Sequence, residues 1–238
     1  FRPVRAAQIP RQAAFFGMTM SQMFPNTFLV NPKVGALIGG ILMMLTALYG
    51  YKGIAALSFV AVPLIFLLSI FGSVAGITQS GGWGVLLSQT APGDAFSLYT
   101  GITIVVGNAA MGAVVLSDIT RYAKSSKVGA GAAALGYMFG GIFCVASGAA
   151  MAVAANIPGI GSTPDVPKVM VALGLGVGAL LVMTLAQWTT DTANLYSASL
   201  GMVNVVPMKQ KTQVLIMGIL ATALALIGIF EYFVPFLN

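Results

Sequence analysis

No charged residue occurs between positions 54 and 77, and predominantly apolar runs recur at 34–50, 98–116, 128–156, 169–203 and 212–233. Backbone amides have no water to bond in hydrocarbon, so a segment that crosses a bilayer must be a helix or part of a closed barrel. The runs have helix lengths, roughly 20 residues, rather than the roughly ten of a barrel strand. A further run at 13–24 is too short to cross and reads as truncated. The expected fold class is therefore an all-α polytopic membrane protein, with residues 1–238 forming a single transmembrane domain.

Composition agrees, with 58% hydrophobic and only 7% charged residues. The net charge of +6 does not indicate nucleic acid, because the basic residues sit in short breaks between apolar runs instead of clustering on one solvated face. Their placement reports orientation. Arg2, Arg5, Arg11, Lys52, Arg121, Lys124, Lys127, Lys209 and Lys211 fall on one side if each run crosses once, and only Lys33 and Lys168 on the other. The positive-inside rule then puts the first group in the cytoplasm and predicts seven crossings. The outer segments would be Asn26 to Lys33, Thr78 to Gly93 with Trp83 as an interfacial anchor, and Pro158 to Pro167.

Histidine is absent and Cys144 is the only cysteine, which excludes disulfide frameworks, Cys/His zinc sites and Ser-His or Cys-His catalytic pairs. The chain opens at Phe1 without an initiator Met or the order of a signal peptide, which suggests a piece of a longer transporter-like protein.

The feature with most chemistry is Q-W-T-T-D-T-A-N from Gln187 to Asn194, set within the 169–203 run. Ionisable groups in membrane segments face a bundle interior or aqueous cavity and mark substrate, ion or proton paths. At helical spacing, Thr184, Gln187, Asp191, Asn194 and Ala198 share a stripe, while Val182, Leu185 and Leu195 point more elsewhere. Thr189 and Thr190 add hydroxyl oxygens of the kind that coordinate hard cations. The plainer reading leaves Asp191 solvated at the cytoplasmic interface.

A second candidate is V-V-G-N-A-A-M-G in the 98–116 run, where Gly101, Gly107, Asn108 and Gly112 interrupt an apolar helix. Such a segment can unwind to form a substrate site, or remain a packed helix with tolerated glycines. Gly136-x-x-x-Gly140 and Gly174-x-x-x-Gly178 read as helix-packing glycines. G-L-G-V-G at 174–178 lies inside an apolar run and not after a strand, so it carries no nucleotide-loop meaning. Asp118 and Arg121 in S-D-I-T-R-Y, three apart, can pair on one helix face as a lock or gate element.

Gly40-Ile-Leu, four residues, then Ala47-Leu48-x-Gly50 recurs as Gly218-Ile-Leu, four residues, then Ala225-Leu226-x-Gly228. The predicted topology runs the two copies in opposite directions, as an inverted repeat does in many secondary transporters.

S-D-I-T-R-Y-A-K from Ser117 and L-A-Q-W-T-T-D-T-A-N-L-Y from Leu185 resemble motifs of the nucleobase–cation symporter family, the cytosine, purine, uracil, thiamine, allantoin and hydantoin permeases. L-T-A-L-Y-G-x-K before the third run is most similar to the cytosine permeases among them. The resemblance covers nearly everything from Phe15 onward. It implies a leucine-transporter-type fold of two inverted five-helix repeats, with these runs as its third to ninth helices and the ones before them missing. It also implies sodium-coordinating oxygens from Ala186, Thr189 and Thr190, completed by a first helix that this chain lacks.

The substrate it implies is a flat heterocycle held between aromatic or apolar side chains and hydrogen-bonded by polar ones, which points to Phe15, Thr19, Gly107, Asn108, Asp191 and Asn194. Two positions depart from the family pattern. Asp191 stands where relatives usually carry Asn, and Phe15-Phe16-Gly17-Met18-Thr19 stands where they often place a Trp and a Gln. Asn both donates and accepts whereas ionised Asp only accepts, so Asp191 would favour a donor-rich substrate edge or add cation affinity.

The resulting expectation is a non-enzymatic secondary transporter in the plasma membrane. It would import a cytosine-like nucleobase with sodium or protons as coupling ion, act as a monomer in the lipid bilayer, and use no other cofactor and no nucleic acid. Two other classes fit parts of the sequence: a structural or receptor-like bundle held by the polar stripe, and an intramembrane aspartyl protease using Asp118 and Asp191.

Overall fold

The computed structural model describes residues 2–88, 97–155 and 166–228, with the side chains of 2–12, 104, 108, 109, 111 and 166 outside the description. The described residues are helical throughout, with short connections. In chain order the helices are α1 (Arg2–Met23), α2 (Pro32–Leu48), α3 (Tyr51–Gln79), α4 (Trp83–Ser88), α5 (Leu98–Thr120), α6 (Ser126–Ala134), a π-helical segment (Leu135–Gly140), α7 (Gly141–Ala155), α8 (Val166–Ala172), α9 (Gly176–Val203) and α10 (Gln210–Ile227), with a 3-10 turn at Phe28–Val30. Among the described residues, four stretches are long and apolar enough to cross a membrane: α3, α5, α6 through α7, and α10. The chain is an all-α polytopic membrane protein.

The chain divides into two compact units, one formed by Phe1–Ile65 with Leu180–Asn238 and the other by Phe66–Ala179. In the first, α1 and α2 make a close hairpin. A Cβ added to Gly17 would collide with the Pro32 carbonyl and Ala36, and one added to Gly39 with the Phe16 ring, so small residues set the approach of the backbones. The turn between them ends in two local devices: Asn31 accepts the Lys33 amide at 3.0 Å, and Pro32 occupies the first helical turn, where its missing N–H costs nothing.

Helices α2 and α10 pack antiparallel with reciprocal contacts. A Cβ on Gly40 would fall on the Thr222 side chain, and one on Gly218 on Met44, so each glycine meets the residue one turn beyond the other glycine. The buried positions of α10 match five of the six of α2 at a constant spacing, Gly39 being the exception: Gly35 with Gln213, Ala36 with Val214, Gly40 with Gly218, Met43 with Ala221, Ala47 with Ala225. Each helix is followed by a left-handed glycine, Gly50 and Gly228, whose amide returns to Ala47 or Ala225. The sequence repeat is thus a repeat of packing in opposite directions. Leu195 and Ala198 of α9 complete this core with Ala47, Val214 and Ala221.

In the second unit, the Ser73 hydroxyl lies 2.7 Å from that of Ser147, and both lie 2.7 Å from the Ser69 carbonyl, tying α3 to α7 inside an apolar interface. Gly76 faces Ala154 beside this cluster, again a close approach of two helices. Trp83 is exposed at the start of α4.

Several expectations change. The run at 13–24 is the end of a helix that begins at Arg2 and incorporates Arg2, Arg5 and Arg11, because arginine is a good helix former and hydropathy marks lipid contact rather than helicity. The run at 169–203 is two helices. After α8 the chain breaks at Leu173-Gly174-Leu175 and restarts at Gly176, with φ of 68° at Gly174 and 66° at Gly176. Nothing lies within 4 Å of a Cβ built at either glycine, so they serve the left-handed backbone and not helix packing. Gln79 donates its side-chain amide to the Leu173 carbonyl at 3.0 Å, satisfying an acceptor that the break leaves open. The segment around Gly107 and Asn108 does not unwind: α5 runs unbroken through it, its internal hydrogen bonds outweighing the cost of about 1 kcal/mol per glycine. The irregularity lies instead at the π-helical turn Leu135–Gly140. The predicted outer loop 158–167 lies mostly outside the described residues, as does the end of the one at 78–93.

Candidate functional site

Helix α9 carries the site. Its second half is enclosed on most sides: Asp191, Thr192, Leu195, Tyr196, Ser197, Ala198 and Ser199 are all buried. Leu195 therefore shares the buried face, contrary to the single polar stripe read from the sequence, because α2 and α10 flank this part of α9 together. Thr184 is buried as expected, and Gln187 and Asn194 are half-buried.

Asp191 is 1% exposed, and its Oδ1 has no hydrogen-bond partner among the described residues. The solvated-interface reading of this residue is thereby excluded. A carboxyl withdrawn from water needs a donor or a cation, so this oxygen is the strongest unmet demand among the described residues of the first unit.

Most of the hydroxyls around it are satisfied within α9. Thr184 donates to the Leu180 carbonyl at 2.9 Å, Thr189 to Ala186 at 2.9 Å, Thr192 to Trp188 at 2.7 Å and Ser199 to Tyr196 at 2.7 Å. Such back-bonding keeps the hydroxyl oxygen's lone pairs available while its proton is occupied. Ala186 and Thr189 are thus held together through one carbonyl, both half-buried, and Thr190 lies exposed on the adjoining side. Two hydroxyls and a carbonyl here are hard oxygen donors of the type that cations take, spread over just more than one helical turn.

In α1, Phe15 is half-buried and Thr19 fully buried, with the Thr19 hydroxyl donating to the Phe15 carbonyl at 2.9 Å. Helix α1 meets α9 where the Thr184 hydroxyl lies 3.8 Å from the Met23 sulfur. Phe15, Thr19, Ala186, Thr189, Thr190, Asp191 and Asn194 all belong to the first unit, whereas Gly107 and Asn108 belong to the second. Gly107 is exposed on α5, and the side chain of Asn108 lies outside the described residues. Arg121, which follows α5, donates to the Tyr122 hydroxyl at 2.9 Å and lies 4.9 Å from that ring's centre.

The sequence reading did not single out Thr192, Ser197, Ser199 or Gln213, all buried. Gln213 donates to the Val206 carbonyl at 3.3 Å and Gln210 to the Ser199 hydroxyl at 3.5 Å, bracing the connection from α9 to α10. The signal was present as polar residues spread over more than one face of α9, which a one-stripe reading discards.

Apolar helices of membrane length, together with a helix whose carboxyl and hydroxyls are buried in protein, define a polytopic membrane protein with a polar interior. Residues 20–237 match the family of permeases for cytosine/purines, uracil, thiamine and allantoin, and the chain belongs to that family. Among curated proteins it is similar to the cytosine permease of Escherichia coli O157:H7, 29% identical over 189 residues, which are 79% of this chain and 43% of that protein. The cytosine permease of Escherichia coli strain K12 matches over the same shares, also at 29% identity. The chain thus spans less than half the length of the curated relatives it matches.

Proposed function

We propose that the natural protein carrying this chain is a secondary active transporter that imports cytosine or a closely related heterocycle through the plasma membrane by alternating access, coupled to sodium or protons. The observation that carries this reading is Asp191: a buried carboxyl with an unpartnered oxygen, in the α9 of a permease-family chain. A nucleobase edge supplies N–H donors to such an oxygen. Asn194 and Thr19 add polar contacts, and Phe15 an apolar face. Ala186, Thr189 and Thr190 would hold sodium.

The antiparallel correspondence of α2 and α10 supports a leucine-transporter-type inverted repeat as the architecture. The basic connections face the cytoplasm in this reading, and the protein works as a monomer.

The test is uptake of radiolabelled cytosine by cells expressing the natural protein, with and without a sodium gradient and at several external pH values, beside Asp191→Ala. Gradient-dependent uptake that Asp191→Ala abolishes while surface expression is kept is the expected result. Uptake unaffected by Asp191→Ala removes the proposed site. If Asp191→Ala lowers only detergent stability, the residue is a structural tie between helices.

A further inference from the structure

Trp188 is the second residue of the Q-W-T-T-D run, and its indole Nε1–H donates to the Thr46 hydroxyl of α2 at 3.0 Å. The Thr46 hydroxyl in turn donates to the Leu42 carbonyl at 2.8 Å, so each donor and acceptor in this relay is matched. Both residues are half-buried in the first unit, beside the apolar contact between Leu195, Ala198 and Ala47. We infer that Trp188 is a positioning residue: through Thr46 it fixes the rotation of α9 about its own axis, and so the directions in which Asp191 and the Ala186, Thr189 and Thr190 oxygens are presented. This rests on the transport reading above.

The helical geometry makes the consequence specific. Successive side chains turn by about 100°, so Leu195, seven residues on, returns to within about 20° of Trp188. Both contact α2, one by a hydrogen bond and the other by packing, which defines a single edge of α9. With that edge on α2, Thr190 lies about 200° away and Asp191 about 60° to one side. Burial follows this order, with Asp191 enclosed, Thr189 half-buried and Thr190 exposed. Apolar packing alone tolerates small rotations, because dispersion contacts are weak individually and non-directional. A directional bond from a ring locked by its own bulk does not.

The repeat supplies an internal comparison: at the spacing that relates α2 to α10, Thr46 corresponds to Leu224, which has no hydroxyl to accept such a bond, so the repeated packing of α2 and α10 does not require it.

The test uses Trp188→Phe, Thr46→Val, their combination and Thr46→Ser in the natural protein. Initial cytosine uptake is measured against sodium, pH and cytosine concentration, beside the melting temperature in detergent. We expect each single variant to raise the KM for cytosine or for the coupling ion roughly three- to tenfold, the loss of one ordinary hydrogen bond. The double variant should be no worse than either single one, and Thr46→Ser should restore the parent values. A lowered melting temperature with parent KM values would make the bond a structural tie only and overturn the inference. So would additive effects in the double variant.

If the parent transports nothing under any gradient, the transport reading fails and the inference drawn from it is overturned. The contact itself is then judged separately, by the 19F resonance of fluorotryptophan-labelled protein assigned through its loss in Trp188→Phe. A shift on Thr46→Val would keep the Trp188–Thr46 bond as a structural feature, and an unmoved resonance would remove that as well.

Discussion

The unpartnered oxygen of Asp191 sets the chemistry at the level of single residues. Replacing it by Asn keeps the shape and one acceptor but adds a donor, so Asp191→Asn should retain transport while changing substrate preference or the pH profile. Competition of unlabelled purines, uracil and hydantoin against labelled cytosine, repeated across pH, measures this, and identical profiles for the two proteins would sink the idea. Asp191→Ala removes the acceptor altogether, and its uptake should fall on the order of tenfold or more. The glycines at the α2–α10 crossing act through space rather than chemistry. Gly40→Leu would drive α2 into Thr222 and destabilise the protein by about 1–3 kcal/mol, read as a lowered melting temperature in detergent. Gly131→Leu on α6, where nothing lies within 4 Å of an added Cβ, is the matching control and should melt as the parent does.

Among the helices, the break between α8 and α9 is the element whose details were least legible beforehand. Gly174→Ala forces a side chain into φ of 68° and should cost about 1–2 kcal/mol. Gln79→Leu leaves the Leu173 carbonyl without its side-chain donor and should cost about 1–3 kcal/mol. Faster hydrogen exchange confined to the α8–α9 junction in Gln79→Leu would verify the capping role, and unchanged exchange there would refute it. Hydropathy could not reveal this break, because Leu173, Gly174 and Leu175 continue the apolar run and a left-handed glycine has the same composition as a packing one. The π-helical turn at Leu135–Gly140 left no signal either, since it changes hydrogen-bond register without requiring a particular residue. The runs at 34–50 and 54–77, by contrast, match α2 and α3 to within two or three residues at each end, because charged and glycine-containing breaks bound them. For the site, Asp191 stood out as an ionisable group amid apolar residues. The burial of Thr192, Ser197 and Ser199 depends on the helices packed against α9, which α9's own sequence does not encode.

At the scale of the whole molecule, two helices run from one compact unit into the other: α3, with Pro63 two residues before the division, and α9, whose first turn lies in the second unit. The proposed orientation of the whole rests on the basic connections, and it can be measured directly. Replacing Cys144 by Ala and placing single cysteines at Lys124, Lys209 or Trp83 allows labelling of intact cells with a membrane-impermeant maleimide. Labelling at Trp83 and not at Lys124 or Lys209 is the expected pattern, and the reverse would invert the proposed topology. The α2–α10 correspondence has its own consequence for biogenesis. To the insertion machinery the two segments are near synonyms, alike in length, in most buried positions and in their closing glycine, yet in the proposed topology they enter the bilayer facing opposite ways. What separates them is punctuation: Lys33 in the first turn of α2 and Lys52 after its end, against Lys209 and Lys211 at the start of α10 and Glu231 later in the sequence. In that topology a handful of charges outside the hydrocarbon decides which copy is written forwards and which backwards.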